Sequence, residues 1–375
     1  MKTYLRWNKK SAYSLAALAP LINFEGFTSE PKEGIMVYSF STKQAQFFYD
    51  EVLDFASNSK KTIFIAGGPH PTGSPEETLD YFDYVVIGEG EETLPELINA
   101  IQNNIDINKI EGIGYRSNSG EKVYTNPRSN VDLDTYPCFD PTHLYSPIEI
   151  SRGCPWKCKY CQTPELFGSR MRHRSISSIL KFSKYYSDIR FTSSNALAYG
   201  SDGIHPNLDK VELLLRSIAE LGEKNIFFGT FPSEVRPEFV SDKALELVLE
   251  YCTNTSISMG AQTGSDAIMR SISRGHDVND VIIAVERCID HGIVPNVDFI
   301  VGFPGETPYD QMKSVELMKW ICNKKGGKVH AHYFTPLPGT PYSNSLPSSV
   351  SKDVNKELGK LALKGKLTGT WQSST

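Results

Sequence analysis

The chain has 375 residues, 39% of them hydrophobic and 22% charged, with a formal net charge of −5. That length holds two domains of about 100–200 residues each, and the composition is ordinary for a soluble globular protein. There is no basic excess to attract nucleic acid and no apolar run near the roughly 20 residues that span a bilayer, so we expect a cytoplasmic protein.

From the N-terminus, strands are expected at Thr3–Trp7, Gly34–Phe40, Thr62–Ala66, Tyr84–Ile87 and Gly112–Tyr115. Amphipathic stretches at Gln44–Phe55 and Glu92–Ile101 lie between them. The run SLAALAPLI after Lys9 and Lys10 looks superficially like the core of a signal peptide, but it follows a strand pattern and reads as a first helix. Short apolar runs alternating with helix-length segments predict a doubly wound parallel α/β sheet, Rossmann-like, over 1–130. Two glycine-rich turns, AGGPHPTG (66–73) and GEGEE (88–92), fall at strand C-termini, the edge where open α/β sheets bind ligands. Gly67, Gly68, Gly88 and Gly90 there permit close backbone approach to a bulky ligand. His70 sits in the first turn, and Glu89, Glu91 and Glu92 place carboxylates near a helix start.

A polar, proline-containing stretch supplies a linker over 131–146, and the alternation then resumes over 147–342. Strands are expected at Ile148–Ser151, Ile189–Thr192, Ile226–Thr230, Thr255–Met259, Val294–Val301 and Val329–Thr335, with helices such as Asp209–Leu221 and Val278–His291. Six such repeats predict a barrel or an open part of one, with its active site at the C-terminal strand ends. A tail over 343–375 reads as a last short helix with a loose end.

Immediately after the first of these strands stands SRGCPWKCKYC, which carries Cys154, Cys158 and Cys161 spaced CxxxCxxC. Thiolates are soft ligands for zinc or iron–sulfur clusters. Seven cysteines, an odd number with three clustered, favour metal and free thiols over a disulfide framework. A structural zinc site normally closes with four ligands. Here Cys138, Cys252, Cys288 and Cys322 are isolated, and His143 and His173 lack a zinc-finger spacing. Three thiolates on a 4Fe–4S cube leave one iron open to a small molecule. Zinc and unligated core thiols are the competing readings. The basic patch Arg170, Arg172, His173 and Arg174 either faces an anionic ligand or is a solvated helix start.

The run RGCPWKCKYC resembles the signature of the radical S-adenosylmethionine (radical SAM) superfamily, with Tyr160 as the aromatic residue before the last cysteine and Arg152–Gly153 as the lead-in. GAQTGSD (260–266) with SISRGH (271–276) is similar to the region after that family's fourth barrel strand. DFIVGFPGET (298–307) is similar to the end of the fifth, and HYFTPLPGTP (332–341) to the sixth. The resemblance implies a partial (β/α)6 TIM-type barrel and a 4Fe–4S cluster on Cys154, Cys158 and Cys161. It also implies reductive cleavage of SAM to a 5′-deoxyadenosyl radical that removes a hydrogen atom from an unactivated carbon. It places Tyr160, Gln262, Arg274 and Asp298 at SAM, Arg274 as partner of the SAM carboxylate. The family's Gly-Gly-Glu is replaced by FTSSNALAYG (191–200), where Ser193, Ser194 or Asn195 would accept from the SAM amino group. An external electron donor, such as a flavodoxin or ferredoxin, is implied. His330 and His332 share one strand face, and His332 is the candidate substrate contact.

The N-terminal domain in turn resembles the cobalamin-binding module of one radical SAM subgroup, on GGPHPTG (67–73) and VVIGEGEETLPEL (85–97). On that resemblance Gly67, Gly68, His70, Gly88, Glu89 and Gly90 are cobalamin contacts. The Asp-x-His-x-x-Gly of many such domains is absent, since the corresponding stretch reads VYSFSTKQAQFF (37–48). The implied function is cobalamin-dependent C-methylation. A cobalamin-independent rearrangement, cyclisation or sulfur insertion is the alternative, and a non-catalytic iron–sulfur or zinc protein is the alternative of another class. No cysteine precedes Cys138, so the second, N-terminal cluster of radical SAM methylthiotransferases is not expected, nor is a C-terminal one after Cys322.

Overall fold

In the computed structural model, which describes residues 1–59 and 61–372, the chain opens with β1 (Thr3–Arg6), α1 (Ala12–Leu18), β2 (Gly26–Thr28), β3 (Ile35–Ser39) and α2 (Ala45–Asn58). It continues through β4 (Ile63–Gly67), α3 (Pro69–Gly73), α4 (Pro75–Thr78), β5 (Tyr84–Val86), α5 (Gly90–Asn103), β6 (Ile113–Arg116) and β7 (Lys122–Tyr124). These strands form one sheet in the order β2-β1-β3-β4-β5-β6-β7. Along β3 the side chains alternate between two cores: Ile35 and Val37 join Leu5, Ile65 and Leu97, whereas Met36 and Tyr38 join Phe48, Phe64 and Phe82. A strand buried on both faces is what covering helices produce in a doubly wound sheet. Helix α2 contributes Ala45, Phe48, Tyr49 and Val52, one stripe at helical spacing.

The first five strands pair in parallel, but β5–β6 and β6–β7 pair antiparallel. The short turn at 117–121 leaves no room for a crossover, so β6 and β7 form a hairpin. With β1 and β3 adjacent and β2 outside β1, the chain winds away in both directions from the β1/β3 boundary. Ligands of open α/β sheets bind outside the strand C-termini near such a reversal.

The second unit comprises 148–164, 169–336 and 341–375, the first 1–147 with 165–168 and 337–340. The remaining elements are β8 (Ile148–Glu149), β9 (Ser151–Arg152), α6 (Thr163–Phe167), β10 (Arg172–His173), α7 (Ile176–Ser183), β11 (Asp188–Thr192), α8 (Leu208–Ala219), β12 (Asn225–Phe227) and α9 (Asp242–Tyr251). They are followed by β13 (Ser256–Gln262), α10 (Asp266–Ser271), α11 (Val278–Asp290), β14 (Val294–Val301), α12 (Pro308–Asn323), β15 (Lys328–Tyr333), α13 (Lys352–Leu363) and β16 (Leu367–Thr370). Parallel pairing gives β12-β11-β8 and β13-β14-β15-β16. The two are stitched together by Val235 bridging Met259 and by Ser258 N donating to Gly229 O at 2.8 Å. The result is an open barrel.

The strand expected at Ile226–Thr230 stops at Phe227. Gly229, at φ +68°, turns the backbone into the left-handed region, and Pro232 has no N–H to give a ladder. On β14, Pro295, Val297, Phe299 and Val301 are buried on the side covered by α11 and α12, so Asn296, Asp298 and Ile300 face the other way. Helices α11 and α12 each start with a capping box, Asp277 with Asp280 and Thr307 with Asp310. Such a cap stabilises a helix by about 1 kcal/mol. The last helix is present, and beyond it β16 adds a strand beside β15 that the sequence pattern did not signal. Among the described residues no helix is long and apolar enough to cross a membrane.

Candidate functional site

In the first unit the glycine turns are built by steric need. Gly68 sits at φ +93°, and a Cβ there would lie 2.7 Å from Ser39 Oγ and 3.0 Å from Phe40 N. The turn is tied to the end of β3 by Phe40 N donating to Gly67 O (3.2 Å) and His70 N donating to Phe40 O (3.1 Å). Gly88, at φ +86°, donates its N–H to Thr72 Oγ1 at 3.1 Å, and a Cβ there would meet open space. Its glycine answers to backbone conformation and leaves room above the turn. Gly90 opens α5 against Leu18, and the Cβ position of Gly67 abuts Val86.

His70 is buried, stacked on Phe40, with Nε2 2.9 Å from Tyr49 Oη and Nδ1 3.3 Å from Thr42 Oγ1. Burial lowers its pKa, with Glu77 at 3.6 Å pulling the other way. Glu89 accepts from Val131 N at 2.8 Å, and Glu91 is also buried. Hydrogen bonds from Arg128 and the Tyr136 hydroxyl hold Glu92 below the usual carboxylate range.

In the second unit the cysteine loop follows β9. Cys161 N donates to Cys158 O at 3.0 Å, and Ser194 Oγ at the end of β11 donates to Gly153 O at 2.7 Å. Cys158 is buried, and Cys154 and Cys161 are partly exposed. Burial pushes the Cys154 thiol up, while the Trp156 backbone N–H and the Arg236 charge pull it down. Among the described residues no three His, Cys, Asp or Glu groups gather closely enough to hold one metal ion. Three thiols in one loop are soft ligands of the kind that hold an iron–sulfur cluster, which takes one cysteine at each ligated iron.

Arg274, beyond α10, reaches back to this loop. Its Nη1 lies 3.8 Å from Cys158 Sγ and 3.3 Å from Tyr160 Oη, and Nη2 donates to Gly260 O at 2.7 Å. Burial raises the pKa of the Tyr160 phenol against the pull of Arg274, and its ring packs 5.4 Å from Phe303. Gln262 ends β13 at φ +74°, a left-handed conformation beside a register shift at Gly260/Gln262. A side-chain-bearing residue held there costs about 1–2 kcal/mol, and such strain gathers at functional sites. Asn195 Oδ1 accepts from Arg236 N at 3.4 Å, leaving its buried Nδ2 without a partner. Burial, reinforced by Glu234, pushes Asp298 up to about 8. On β15, His330 Nε2 and His332 Nε2 are 2.8 Å apart, and His330 Nδ1 is 2.7 Å from Thr368 Oγ1 on β16.

The sequence reading missed Trp156, Arg236, Glu238 and His276. The Arg236 guanidinium lies 3.9 Å over the Trp156 ring, Trp156 Nε1 donates to Gly203 O at 2.9 Å, and His276 Nδ1 is 2.9 Å from Glu238 Oε2. A Cβ on Gly275 would fall 2.2 Å from the same indole. Charges on either side of Pro237, in the segment VRPEFV, were the one available signal.

Residues 148–318 match the radical SAM superfamily, and residues 32–98 match the B12 binding domain. The chain thus carries a radical SAM domain, preceded in the sequence by a B12-binding domain. It is 28% identical over 323 residues to an uncharacterized methyltransferase of Pyrococcus horikoshii, covering 80% of this chain and 66% of that one. It is 28% identical over 242 residues to the tRNA-2-methylthio-N(6)-dimethylallyladenosine synthase of a Sulfurihydrogenibium species, covering 61% and 52%. The chain thus spans about half to two thirds of these curated relatives. Its fold is that of TsrM from Kitasatospora setae, a radical S-adenosylmethionine methyltransferase solved with cobalamin and a 4Fe–4S cluster bound. The TM-score is 0.70 at 16% identity, covering 92% of this chain and 74% of that one.

Proposed function

We propose that the protein is a cobalamin-dependent radical SAM methyltransferase acting on an unactivated carbon. In this reading Cys154, Cys158 and Cys161 hold a 4Fe–4S cluster. When bound, the cluster and SAM supply a carbon-centred radical, and cobalamin supplies the methyl group. The observation that carries the reading is the fastening of the cysteine loop to the end of β13, through Arg274 contacting both Cys158 Sγ and Gly260 O. It joins the three thiols to the strand ends where a barrel does its chemistry.

The chain's own groups then have defined tasks. Gln262, Asp298 and the segment Ser193–Asn195 present polar atoms at or near strand ends to SAM. The orphaned Asn195 Nδ2 is a donor, so it suits the SAM carboxylate better than the amino group. Tyr160 and Phe303 wall the loop with aromatic surface and keep water from it. Gly67, Gly68, Gly88 and Gly90 shape the sheet edge for cobalamin, and the ring nitrogens of His70 are taken up by Tyr49 and Thr42. We place the reaction in the cytoplasm, with a flavodoxin or ferredoxin as electron donor.

Relatives named as methylthiotransferases favour sulfur insertion as the second reading. Residues 1–137 carry no cysteine for a second cluster, which supports methylation instead. The test is anaerobic purification with iron, sulfide and cobalamin supplied, then turnover with methyl-labelled SAM. Methylation requires bound cobalamin and label in the product without added sulfur. Sulfur in the product would establish the second reading, and zinc without sulfide would overturn both.

A further inference from the structure

The proposed chemistry gives no task to His330 and His332. On β15 the neighbours Val329 and Ala331 are buried on the side covered by α12. Side chains two apart on a strand share a face, so the two histidines project from the opposite one. Their Cα partners on β14 are Asp298 and Ile300, which puts the pair on the inner face of the open barrel. His332 is exposed and His330 partly so, and an ion from solution can reach both.

The two rings are arranged as metal ligands are. Their Nε2 atoms face each other across 2.8 Å, and on the far side of His330 Nδ1 lies 2.7 Å from Thr368 Oγ1 on β16. A ligating histidine commonly donates from its other ring nitrogen to such a partner, which fixes the tautomer and turns the remaining lone pair toward the metal. With Nδ1–H given to Thr368, His330 Nε2 is an acceptor, and the hydrogen between the rings belongs to His332. Metal entry requires that hydrogen to move from Nε2 to Nδ1 of the same ring.

The separation also selects the ion. Two nitrogens each about 2.1 Å from one centre are roughly 3.0 Å apart at a right angle and roughly 3.4 Å apart at the tetrahedral angle. The observed 2.8 Å is close to the first and needs about 0.6 Å of spreading for the second. Right-angled sites of nitrogen and oxygen suit nickel(II) and copper(II), whereas zinc favours the tetrahedron. Among the described residues no group of three His, Cys, Asp or Glu can hold a metal, so the protein would supply these two ligands and leave the other positions open.

We propose that His330 and His332 form a two-imidazole site for a divalent metal of right-angled geometry, nickel or copper in class. Its open positions take water or the nitrogen and oxygen donors of a chelating molecule inside the barrel. The site is independent of the cluster and cobalamin assignments, since it shares no residue with either.

The test is equilibrium dialysis of the full chain against Ni2+, anaerobically and with its iron–sulfur cluster reconstituted. Bound nickel, iron and sulfide are measured together. One nickel per chain is expected with iron and sulfide unchanged, and nickel X-ray absorption should show two imidazoles. His330→Gln and His332→Gln should each lose that nickel, and Thr368→Val should weaken its binding about tenfold. Zn2+ should displace Ni2+ only in excess. Nickel retained by both histidine variants is an adventitious ion only, held by other groups such as the cysteine thiols, and overturns the proposal. No nickel on the unmutated chain, or tighter binding of Zn2+ than of Ni2+, overturns it as well. His332 is exposed, so His332→Gln decides should His330→Gln lose its fold by circular dichroism.

Discussion

The two candidate sites are made of different materials. At the sheet edge of the first unit the working parts are backbone: Gly68 and Gly88 in left-handed conformations, with the nearby side chains His70, Glu89 and Glu92 engaged by protein groups. Beside the cysteine loop the working parts are buried charges, Arg236, Glu238 and Arg274. Asn195 Nδ2, Arg274 Nε and His276 Nε2 are left there without partners. The first arrangement suits a broad ligand met by shape and main-chain contact. The second suits a compact anion, because buried cations repay their desolvation only against opposite charge.

Removing the anion's anchor should break the second region most completely. Cys158→Ala is expected to abolish bound iron and sulfide and all SAM cleavage. Cleavage at the unmutated rate would show the ligand set to be wrong. Next in size, Gly68→Val forces a side chain into Ser39 Oγ and the Phe40 N–H. It should destabilise the first unit by about 2–3 kcal/mol and abolish cobalamin retention, read by thermal melting and visible absorbance. Retention at full occupancy would mean that the turn does not form the ligand edge.

The regions should also answer pH in opposite directions. Burial lowers the pKa of His70 from 6.5, so its neutral form is favoured and its contribution fades as pH falls below about 6.5. Burial pushes Glu306 up from 4.5 to about 7, against the Gly302 N–H that it accepts. Its contribution is full below 4.5 and fades as pH rises toward 7. Melting curves of His70→Gln should flatten on the acid side, and those of Glu306→Gln between pH 4.5 and 7, the latter by about 3 kcal/mol. Equal slopes in both variants and the parent would remove this contrast. The smallest effect concerns backbone strain: Gln262→Gly should stabilise the second unit by about 1 kcal/mol while raising the KM for SAM. Loss of stability would show that φ +74° is not strained there.

Much of this was legible in the sequence because it is local. β14 matches its expected bounds, Val294–Val301, since a long strand buried on one side alternates cleanly. The cysteine spacing and the glycine turns were visible for the same reason. What escaped was either too short to carry a period, as in β2, β7 and β16, or was assembled by topology. Arg236 reaches the Arg274 carbonyl across 38 positions, a meeting that no window of sequence contains. His70 was expected at cobalamin, and Tyr49 and Thr42 from α2 and the turn before it now hold both its nitrogens, a fact of packing.

The indole of Trp156 has a consequence for how this protein can change over generations. It fills the space where a Cβ on Gly275 would go and carries Arg236 on its face. Positions 156 and 275 are therefore not free to drift separately: a side chain at 275 demands a smaller residue at 156, and a smaller residue at 156 strips Arg236 of its platform. In homologues that keep the cysteine loop, the two positions should vary together or stay fixed together.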